Sequence, residues 1–344
     1  MNVKRLKWLP LILLGLCALG GVAGLCHTFF MRAAYIVVFF MLIPQGIYLL
    51  FKWLIGKLPG HLPAKTIALA LAMIPIILFV YGQYIGFYKL TIREEVFESE
   101  KLPSSFDGYR IVQLSDLHLG SYGNDTSFIK RVVDSVNALK PNVVVFTGDL
   151  VNTKVEEAEP FLNTLRQIQA PVYSITGNHD YGFLGTNAGT MLVKQLELQT
   201  RIGWKLLINE SVTLKNAQDS IFLAGVEHTG MSFHGSRGDF AKAMDGIRAE
   251  DFCILLSHDP KHWRKEVLSD GRADLTLSGH THAMQIKIFG LSPAGIIFRD
   301  WGGKYQEGKQ MLNVSVGIGG IAPFRIGAWP EICVITLKKA EGLF

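Results

Sequence analysis

Cysteine and charged residues are both scarce in this chain. Only 4 of its 344 residues are cysteine, and Asp, Glu, Lys and Arg together make up 18%. The cysteines stand in apolar segments rather than in paired spacings, so the sequence predicts buried thiols and no disulfide framework. The cysteine content therefore does not indicate a redox compartment. The four are Cys17, Cys26, Cys253 and Cys333.

A basic stripe, an internal repeat and a low-complexity tract are also missing. The net charge is +5, and most of it comes from residues that flank apolar runs. Nucleic-acid-binding domains usually carry lysine and arginine clustered on one face, so we expect no nucleic-acid partner. The flanking lysines could attract anionic lipid headgroups, although any membrane anchor has such flanks.

Hydrophobic residues, by contrast, make up 49% of the chain, which is more than an ordinary soluble enzyme contains. The excess lies in three runs at 9–30, 33–55 and 67–88, each about as long as a helix that crosses a bilayer. We predict a helical transmembrane region over 1–88. The first run is too long for a cleaved signal peptide. A buried helical hairpin with a single span would give a similar pattern, and that alternative stays open.

The side of the membrane follows from the lysine and arginine residues in the short flanks. With three crossings, six basic residues lie on the side of the N-terminus and four on the opposite side. This predicts a multi-pass membrane protein with a cytoplasmic N-terminus and a catalytic domain outside the cytoplasm. An even number of crossings would reverse the predicted side of the catalytic domain. The two sets are Lys4, Arg5, Lys7, Lys52, Lys57 and Lys65 against Arg32, Lys89, Arg93 and Lys101.

Beyond the apolar runs, a polar and acid-rich connector is predicted at 89–108, followed by one domain over 109–344. That domain alternates strand-like and helix-like segments, which indicates an α/β fold with helices covering sheets. The predicted strands are 110–115, 143–147, 172–176, 221–226, 253–257, 275–278, 312–316 and 332–337. The predicted helices are 126–139, 158–168, 190–198 and 239–247.

Five short motifs follow predicted strands in a fixed order. Each places Asp, Asn or His beside a tight turn, and half of the ten histidines lie within them. Singly, such a motif could be a turn or a cap. Side chains presented from the carboxyl ends of neighbouring strands converge on one sheet edge, so together the motifs predict a metal site. They are Asp116-Leu117-His118, Gly148-Asp149, Gly177-Asn178-His179-Asp180, Ser257-His258-Asp259 and Gly279-His280-Thr281-His282.

These motifs resemble those of the calcineurin-like metallophosphoesterase superfamily, from about residue 109 to the C-terminus. The resemblance implies a β-sandwich flanked by helices, and two metal ions bridged by Asp149. It also implies that His179 donates a proton or stabilises a phosphoryl oxygen. The implied ligands are Asp116, His118, Asp149 and His282 for one ion, and Asp149, Asn178, His258 and His280 for the other.

The ligand set also indicates the chemistry by itself. Two divalent ions about 3.5–4 Å apart can clamp the attacking and leaving oxygens of a phosphoryl transfer, and a water shared between them becomes the nucleophile. Imidazole, carboxylate and amide ligands without thiolate suit Mn²⁺, Fe²⁺/Fe³⁺ or Zn²⁺. A non-catalytic scaffold would be expected to lose part of this set, which is complete here. Transport lacks support, because no Asp, Glu or Arg lies within a predicted span.

Residues beside the ligands have more modest predicted roles. Asp180 and Asp259 are expected to orient ligands or form turns. His228, His234 and His262 fall outside the motifs and are interpreted as surface or packing residues. His228 follows a predicted strand directly, which could place it near the site.

The residues around the motifs bear on the substrate. Ser/Thr protein phosphatases continue from Gly-Asp into an Asp-Arg pair, whereas this chain continues Leu150-Val151-Asn152, which argues against phosphoproteins. Met284 stands where related bacterial enzymes have glycine and would narrow the pocket mouth.

The segment 314–331 resembles a bacterial membrane-associated subgroup similar to enzymes that cleave UDP-2,3-diacylglucosamine in lipid A synthesis. Arg325 is the candidate contact for a substrate phosphate, and a simply exposed Arg325 is the alternative. We predict hydrolysis of a phosphodiester or pyrophosphate in a lipid-linked substrate. A broad-specificity phosphatase or phosphodiesterase of the cell envelope is the other enzyme considered.

Overall fold

A computed structural model describes residues 37–58, 63–182, 188–229 and 237–340. They divide into two compact units, one containing the residues up to Phe87 with Ile321–Ile326, the other Tyr88–Gly320 with Gly327 and the residues after it. The helices are α1 (Ile43–Ile55), α2 (Ala64–Tyr84), α3 (Ser127–Ala138), α4 (Leu162–Leu165), α5 (Ala188–Ile202), α6 (Phe240–Ala243) and α7 (Leu268–Asp270). The strands are β1 (Thr91–Ser99), β2 (Arg110–Leu114), β3 (Val143–Phe146), β4 (Val172–Ser174), β5 (Lys205–Leu206), β6 (Glu210–Asn216), β7 (Asp219–Gly225), β8 (Cys253–Leu256), β9 (Leu275–Ser278), β10 (Gly303–Glu307), β11 (Gln310–Val314) and β12 (Glu331–Lys339).

The first unit is built on α1 and α2. Two helical stretches are long and apolar enough to cross a membrane, Val38–Ile55 with a mean hydropathy of 1.8 and Ala64–Tyr88 with 2.1. They coincide with the second and third apolar runs of the sequence and are mostly exposed, unlike the core helices of a soluble protein. The predicted span at 9–30 lies outside the described residues.

Aromatic stacking joins segment 321–326 to these helices within the first unit. The ring of Phe324 lies 5.1 Å from that of Phe79 and 5.0 Å from that of Phe39. Gly82 permits this approach, since a Cβ there would stand 2.7 Å from the Phe324 ring. Offset ring pairs of this kind contribute about 0.5–1.5 kcal/mol beyond the area that they bury.

The second unit contains two six-stranded sheets. The first has the order β1-β12-β2-β3-β4-β5, in which β2, β3, β4 and β5 are parallel to one another and β12 is antiparallel to β2. The second has the order β10-β11-β9-β8-β7-β6, in which β11, β9, β8 and β7 are parallel. Buried apolar side chains of both sheets form one cluster, which contains Ile111 and Val145 of the first and Leu223, Ile254 and Leu277 of the second. The predicted sandwich is confirmed.

Helix α3 shows how the sequence pattern produces this packing. Its buried residues are Phe128 and the set Ile129, Val132, Val133 and Val136, which are spaced as one side of a helix requires. Strand β3 reads VVVF and is buried at every position, as expected of a parallel strand covered on both faces.

The structure corrects several predicted elements. The helix predicted at 158–168 is a 3₁₀ segment over Val155–Phe161 followed by the short α4, because Pro160 lacks the N–H that a continuous helix needs. The helix predicted at 239–247 contracts to α6, which Asp239 caps by accepting the Lys242 N–H at 3.0 Å. Strands β5, β6 and β10 were not predicted.

The segment 89–108, predicted as a polar connector, contains strand β1. This strand pairs in parallel with β12, with Thr91 opposite Glu331 and Ser99 opposite Lys339. It is therefore part of the first sheet, at its edge. Its glutamates are typical of an exposed edge, where charged side chains oppose pairing with another chain.

Candidate metal centre

The five motifs meet at the carboxyl ends of parallel strands. Asp116 follows β2, Asp149 follows β3 and Asn178 follows β4 in the first sheet. His258 follows β8 in the second sheet, and the Gly279–His282 motif follows β9. Six of the side chains converge, because their candidate ligand atoms form two groups that share one carboxylate.

The first group combines two carboxylates and two imidazoles. The candidate atoms of Asp116, His118, Asp149 and His282 all lie within 4.8 Å of one another. The Nε2 atoms of His118 and His282 are 3.1 Å apart, and Asp116 Oδ1 lies 3.3 Å from His282 Nε2. Imidazole nitrogens aimed at one point beside two carboxylates are an arrangement that a divalent cation satisfies.

The second group is formed by Asp149, His258 and His280. Asp149 Oδ2 is 3.2 Å from His258 Nε2 and 3.6 Å from His118 Nε2, so this one oxygen faces both groups. Asn178 Oδ1 is buried and accepts no hydrogen bond from any residue that the structure describes. A buried amide oxygen without a donor is costly unless a cation takes that place. The donor set therefore fits two ions.

Five of the seven predicted ligands have a left-handed backbone. The φ angles are +52° at Asp116, +47° at His118, +60° at Asp149, +73° at His280 and +50° at His282. Non-glycine residues seldom adopt this region, and each instance costs about 1 kcal/mol or more. Such a concentration of strain is typical of a functional site whose surroundings fix the geometry.

Two glycines let the ligand loops approach closely. A Cβ at Gly177 would stand 2.2 Å from Asp149 Oδ1, and one at Gly279 would stand 2.3 Å from Asp116 Oδ2 and 1.9 Å from the Ser115 hydroxyl. Glycine is required at both positions because a side chain has no space there, and not because of the backbone angle.

Asp180 organises the backbone behind the shared carboxylate. Its Oδ2 accepts the N–H groups of Asp149 at 2.9 Å and Gly177 at 2.8 Å. Its Oδ1 accepts the N–H of Leu150 at 3.0 Å and the side-chain amide of Gln195 at 3.1 Å. Burial, with the nearby charge of Asp149, raises the pKa of Asp180 to about 7. This side chain orients the loop that carries a ligand, as the sequence predicted.

The pKa values of the two ligand carboxylates are shifted in opposite directions. Burial, with the charge of Asp149 beside it, raises the pKa of Asp116 to about 6. Burial also opposes the charge of Asp149, but the neighbouring His258 and His179 hold the pKa of Asp149 well below its usual range. Against its own burial, the Asp149 carboxylate raises the pKa of His258 to about 10. A metal ion that binds His258 must therefore displace a proton.

His179 lies against the first group with its ring orientation fixed. Its Nδ1 is 2.8 Å from the Asn152 carbonyl oxygen, which places the proton on Nδ1 in the neutral ring. Its backbone N–H donates to Asp149 Oδ1 at 2.8 Å. The ring meets that of His118 edge-on at 4.8 Å. A role of Nε2 in proton transfer to a substrate stays a prediction.

Other predicted residues divide between the site and the core. The ring of His228 is buried, with its centroid 5.9 Å from that of His258 and 6.1 Å from that of His280, so it does lie near the site. Burial, with the charge of His258, lowers the pKa of His228 to about 3. His262 packs on Phe240, as expected of a core residue. Asp259 accepts the Lys261 N–H in a turn, also as predicted, and His234 lies outside the described residues.

Arg325 belongs to the first unit. Its backbone N–H donates to the Gly82 carbonyl at 3.1 Å, and the residue is fully buried. The alternative that Arg325 is simply exposed is therefore wrong. Its contact with a substrate phosphate stays a prediction.

The sequence did not predict two polar groups near the ligands, the Thr147 carbonyl and the Glu227 carboxylate. The Thr147 carbonyl oxygen lies 2.7 Å from His258 Nδ1, and a backbone oxygen leaves no sequence signal. The buried Glu227 accepts from the Tyr181 hydroxyl at 2.7 Å and from the Asn209 amide at 3.0 Å. Its position just after β7, among strand ends that all carry polar residues, was a signal that could have identified it.

The calcineurin-like phosphoesterase family matches this chain over residues 109–284. The uncharacterised metallophosphoesterase YkuE of Bacillus subtilis is 33% identical over 272 residues, which cover 76% of this chain and 90% of that protein. A transmembrane protein with metallophosphoesterase domain from Danio rerio is 35% identical over 283 residues, 78% of this chain and 62% of the relative. The UDP-2,3-diacylglucosamine pyrophosphatase LpxG of Chlamydia muridarum is 28% identical over 295 residues, which cover 68% of this chain and 86% of that protein. The site and these matches together establish that the chain belongs to the calcineurin-like phosphoesterase family.

Proposed function

We propose that this protein is a membrane-anchored dimetal phosphohydrolase that cleaves a pyrophosphate or phosphodiester bond in a lipid-linked substrate. UDP-2,3-diacylglucosamine is the first candidate substrate. The observation that carries the proposal is the carboxylate of Asp149, which faces two groups of ligand atoms at once. The name of the LpxG relative and the two apolar helices support the choice of a lipid.

The chain's own residues have distinct tasks in this proposal. Asp116, His118 and His282 would hold one ion, and Asn178, His258 and His280 the other, with Asp149 between them. When bound, two such ions supply an activated water and neutralise charge on the phosphoryl group. The low pKa of Asp149 keeps its carboxylate charged and ready to bridge. Thr147 and Asp180 fix the direction of His258 and the backbone of Asp149.

His179 acts on the substrate rather than on an ion. The Asn152 carbonyl holds its Nδ1, so Nε2 is the ring nitrogen that would interact with the phosphoryl oxygens and the leaving group. In its protonated form the ring stabilises the charge that develops on those oxygens, and it can donate a proton to the departing oxygen. Asp116, His118, Asp149 and His258 are buried, and charge interactions are stronger in such surroundings than in water.

The lipid nature of the substrate rests on tethering. The candidate span Ala64–Tyr88 ends three positions before β1 begins at Thr91, so the catalytic unit follows the membrane helix almost directly. Such a tether raises the effective concentration of a substrate that is confined to the same bilayer.

The distribution of basic residues favours a second candidate function. If the chain crosses the membrane three times, the six-to-four excess puts the catalytic unit outside the cytoplasm, whereas nucleotide-activated lipids are made in the cytoplasm. An external unit would act as a broad-specificity phosphatase or phosphodiesterase of the envelope. A C-terminal reporter that is active only in the cytoplasm would exclude this second function, and one active only outside would exclude UDP-2,3-diacylglucosamine as the substrate.

The deciding assay measures hydrolysis by the full chain in detergent with Mn²⁺. The substrates are UDP-2,3-diacylglucosamine and a water-soluble aryl phosphodiester, and the variants are Asp149→Asn, His179→Ala and Asp134→Asn. Asp134 is exposed on α3, so its change is the matched control for the carboxylate substitution.

We expect Asp149→Asn to abolish turnover and His179→Ala to reduce kcat by about 10²–10⁴-fold with the metal content unchanged. Asp134→Asn should retain the wild-type rate. Cleavage of the aryl substrate alone would refute the lipid substrate, and equal rates for wild type and Asp149→Asn would refute the dimetal site.

A further inference from the structure

An exposed apolar segment follows the last ligand motif directly. Residues 284–299 read MQIKIFGLSPAGIIFR, and we call this segment the apolar loop. Phe289 is 100% exposed, Ile296 89% and Leu291 77%. Several large apolar side chains exposed within one short segment indicate that a membrane or another molecule covers that segment. The other exposed apolar residues of the loop are Met284, Ile288 and Ile297.

The tip of the apolar loop has a defined shape. Ile288 and Leu291 exchange two backbone hydrogen bonds of 2.9 and 3.0 Å. Between them Phe289 and Gly290 have φ angles of +50° and +80°, as in the tight turn of a two-residue hairpin. At the base of the hairpin, the Ser292 hydroxyl donates to the Ala283 carbonyl at 2.6 Å. Phe289 is therefore presented at the end of a built hairpin.

The charges of the apolar loop have one sign. Lys287 and Arg299 are both exposed, and the segment contains no acidic residue. Just outside the loop, the Lys261 ammonium stands 4.4 Å from the centre of the Phe298 ring. Apolar side chains beside lysine and arginine form the composition of a surface that enters a bilayer containing anionic lipids.

Both ends of the apolar loop adjoin metal ligands. Met284 comes two residues after His282, and the Phe298 ring meets that of His280 edge-on at 5.6 Å. A phosphate group at the ligands would therefore have this apolar surface next to it. Acyl chains and an anionic headgroup are joined in the same way in a lipid.

We propose that the apolar loop inserts into the bilayer interface, with Phe289, Leu291 and Ile296 among the acyl chains and Lys287 and Arg299 at headgroup phosphates. The membrane partner follows from the basic residues and from the apolar helix that precedes β1 by a few residues. A second copy of the chain is disfavoured, because this surface would bring cations of the two copies together. That insertion delivers a lipid substrate to the ligands rests on the function proposed above, whereas insertion itself does not.

Insertion is tested by spin labels on the full chain in nanodiscs that contain anionic lipid. A nitroxide is attached at Phe289→Cys or Ile296→Cys in a background whose four cysteines are replaced by alanine and whose thermal stability matches wild type. Asp134→Cys, on α3, is the matched solvent control, and Leu50→Cys, in α1, is the matched bilayer control.

Labels at 289 and 296 should collide with oxygen several-fold more often than the label at 134. They should collide with a water-soluble nickel complex several-fold less often than the label at 134. In both respects they should resemble the label at position 50. Nickel accessibility equal to that at 134 would overturn the proposal. Label pairs from two copies within about 25 Å of each other would also overturn it and assign the loop to a dimer. None of these readings depends on hydrolysis, so failure of insertion is distinct from failure of the proposed function.

A kinetic comparison gives a second, independent test. In the double variant Phe289→Asp with Ile296→Asp, KM for a phosphoester displayed on vesicles should rise at least tenfold, while kcat/KM for the soluble aryl phosphodiester stays within twofold. Both side chains are exposed, so folding should be preserved. Val193→Asp, an exposed apolar position on α5, is the matched control. An unchanged vesicle KM would count against insertion.

Discussion

The carboxylate of Asp180 accepts the backbone N–H of Asp149 at 2.9 Å, so one buried acid fixes the position of another. The same oxygen also accepts the N–H of Gly177 at 2.8 Å. Two ligand loops, one after β3 and one after β4, are thus joined through a residue that is itself not a proposed ligand. Partners of this kind fix the orientation of metal ligands and thereby increase metal affinity.

Replacing Asp180 by asparagine should weaken metal binding. In the wild type both oxygens of the carboxylate accept backbone N–H groups. An asparagine has only one side-chain oxygen, so its NH₂ group would face a backbone N–H that has lost its acceptor. We expect the affinity for Mn²⁺ to fall about 10–100-fold, measured by calorimetric titration. Asp134→Asn should leave the affinity unchanged. An Asp180→Asn variant with wild-type affinity would show that the backbone holds this geometry without the carboxylate.

Metal binding should be linked to protons in a defined pH window. The pKa of His258 is raised to about 10, so below that pH an incoming ion releases its proton, whereas Asp149, with a lowered pKa, has none to release near neutrality. The metal affinity should therefore rise up to tenfold per pH unit between about pH 7 and 9. An indicator titration at pH 8 should detect about one proton per binuclear site.

The same shift predicts how the stability of the metal-stripped protein depends on pH. His258 holds its proton more tightly in the folded state, so its stabilising contribution is complete below pH 6.5 and is lost as the pH rises towards 10. Thermal melts after chelation should show a midpoint that falls over this interval. With saturating Mn²⁺ the fall should shrink, since the bound form contains neutral His258. A midpoint that rises with pH in both cases would contradict this assignment.

Gly279→Ala should distort the metal site by steric overlap alone. The added carbon would stand 1.9 Å from the Ser115 hydroxyl and 2.3 Å from Asp116 Oδ2, so β9 and the Asp116 loop must separate. We expect a loss of about 2–3 kcal/mol in unfolding free energy together with weaker metal binding, measured by thermal melts and Mn²⁺ titration. Gly189→Ala is the control, because the added carbon there meets nothing within 4 Å. Equal behaviour of the two variants would refute the packing argument.

The edge strand β1 should be held mainly by Arg93. Its guanidinium donates to Glu331 at 3.2 Å, to Asn313 at 2.8 Å and to Glu95 at 3.0 Å. Burial lowers its pKa, but Cys333, Glu331 and Glu95 together raise the pKa above its ordinary value. We expect Arg93→Met to lower the unfolding free energy by about 3 kcal/mol, because Glu331 would remain poorly compensated. Thermal melts of Arg93→Met and of the control Arg201→Met measure the difference in stability. The control breaks only the exposed ion pair with Glu159. Equal midpoints would show that pairing with β12 alone secures the strand.

Local patterns predicted most of the fold. The periodicity of α3 and the apolar runs of β3, β8 and β9 identified elements within one or two residues, since each buries a regular face. Patterns without such a face were missed. Strand β1 is half-exposed and acid-rich, so only its pairing with β12, at the other end of the chain, makes it a strand. The prediction of one continuous helix over 158–168 was wrong, because Pro160 lacks the N–H that such a helix needs.

The amino-acid sequence by itself determined the ligand types, their order and the apolar helices, because these depend on residue identity and local spacing. Tertiary structure alone decided that Asp149 faces both groups, that five ligands have a left-handed backbone, and that the apolar loop meets His280 through Phe298. Those relations join strand ends of two sheets that are distant along the chain. Only packing of the sandwich brings them within a few ångströms.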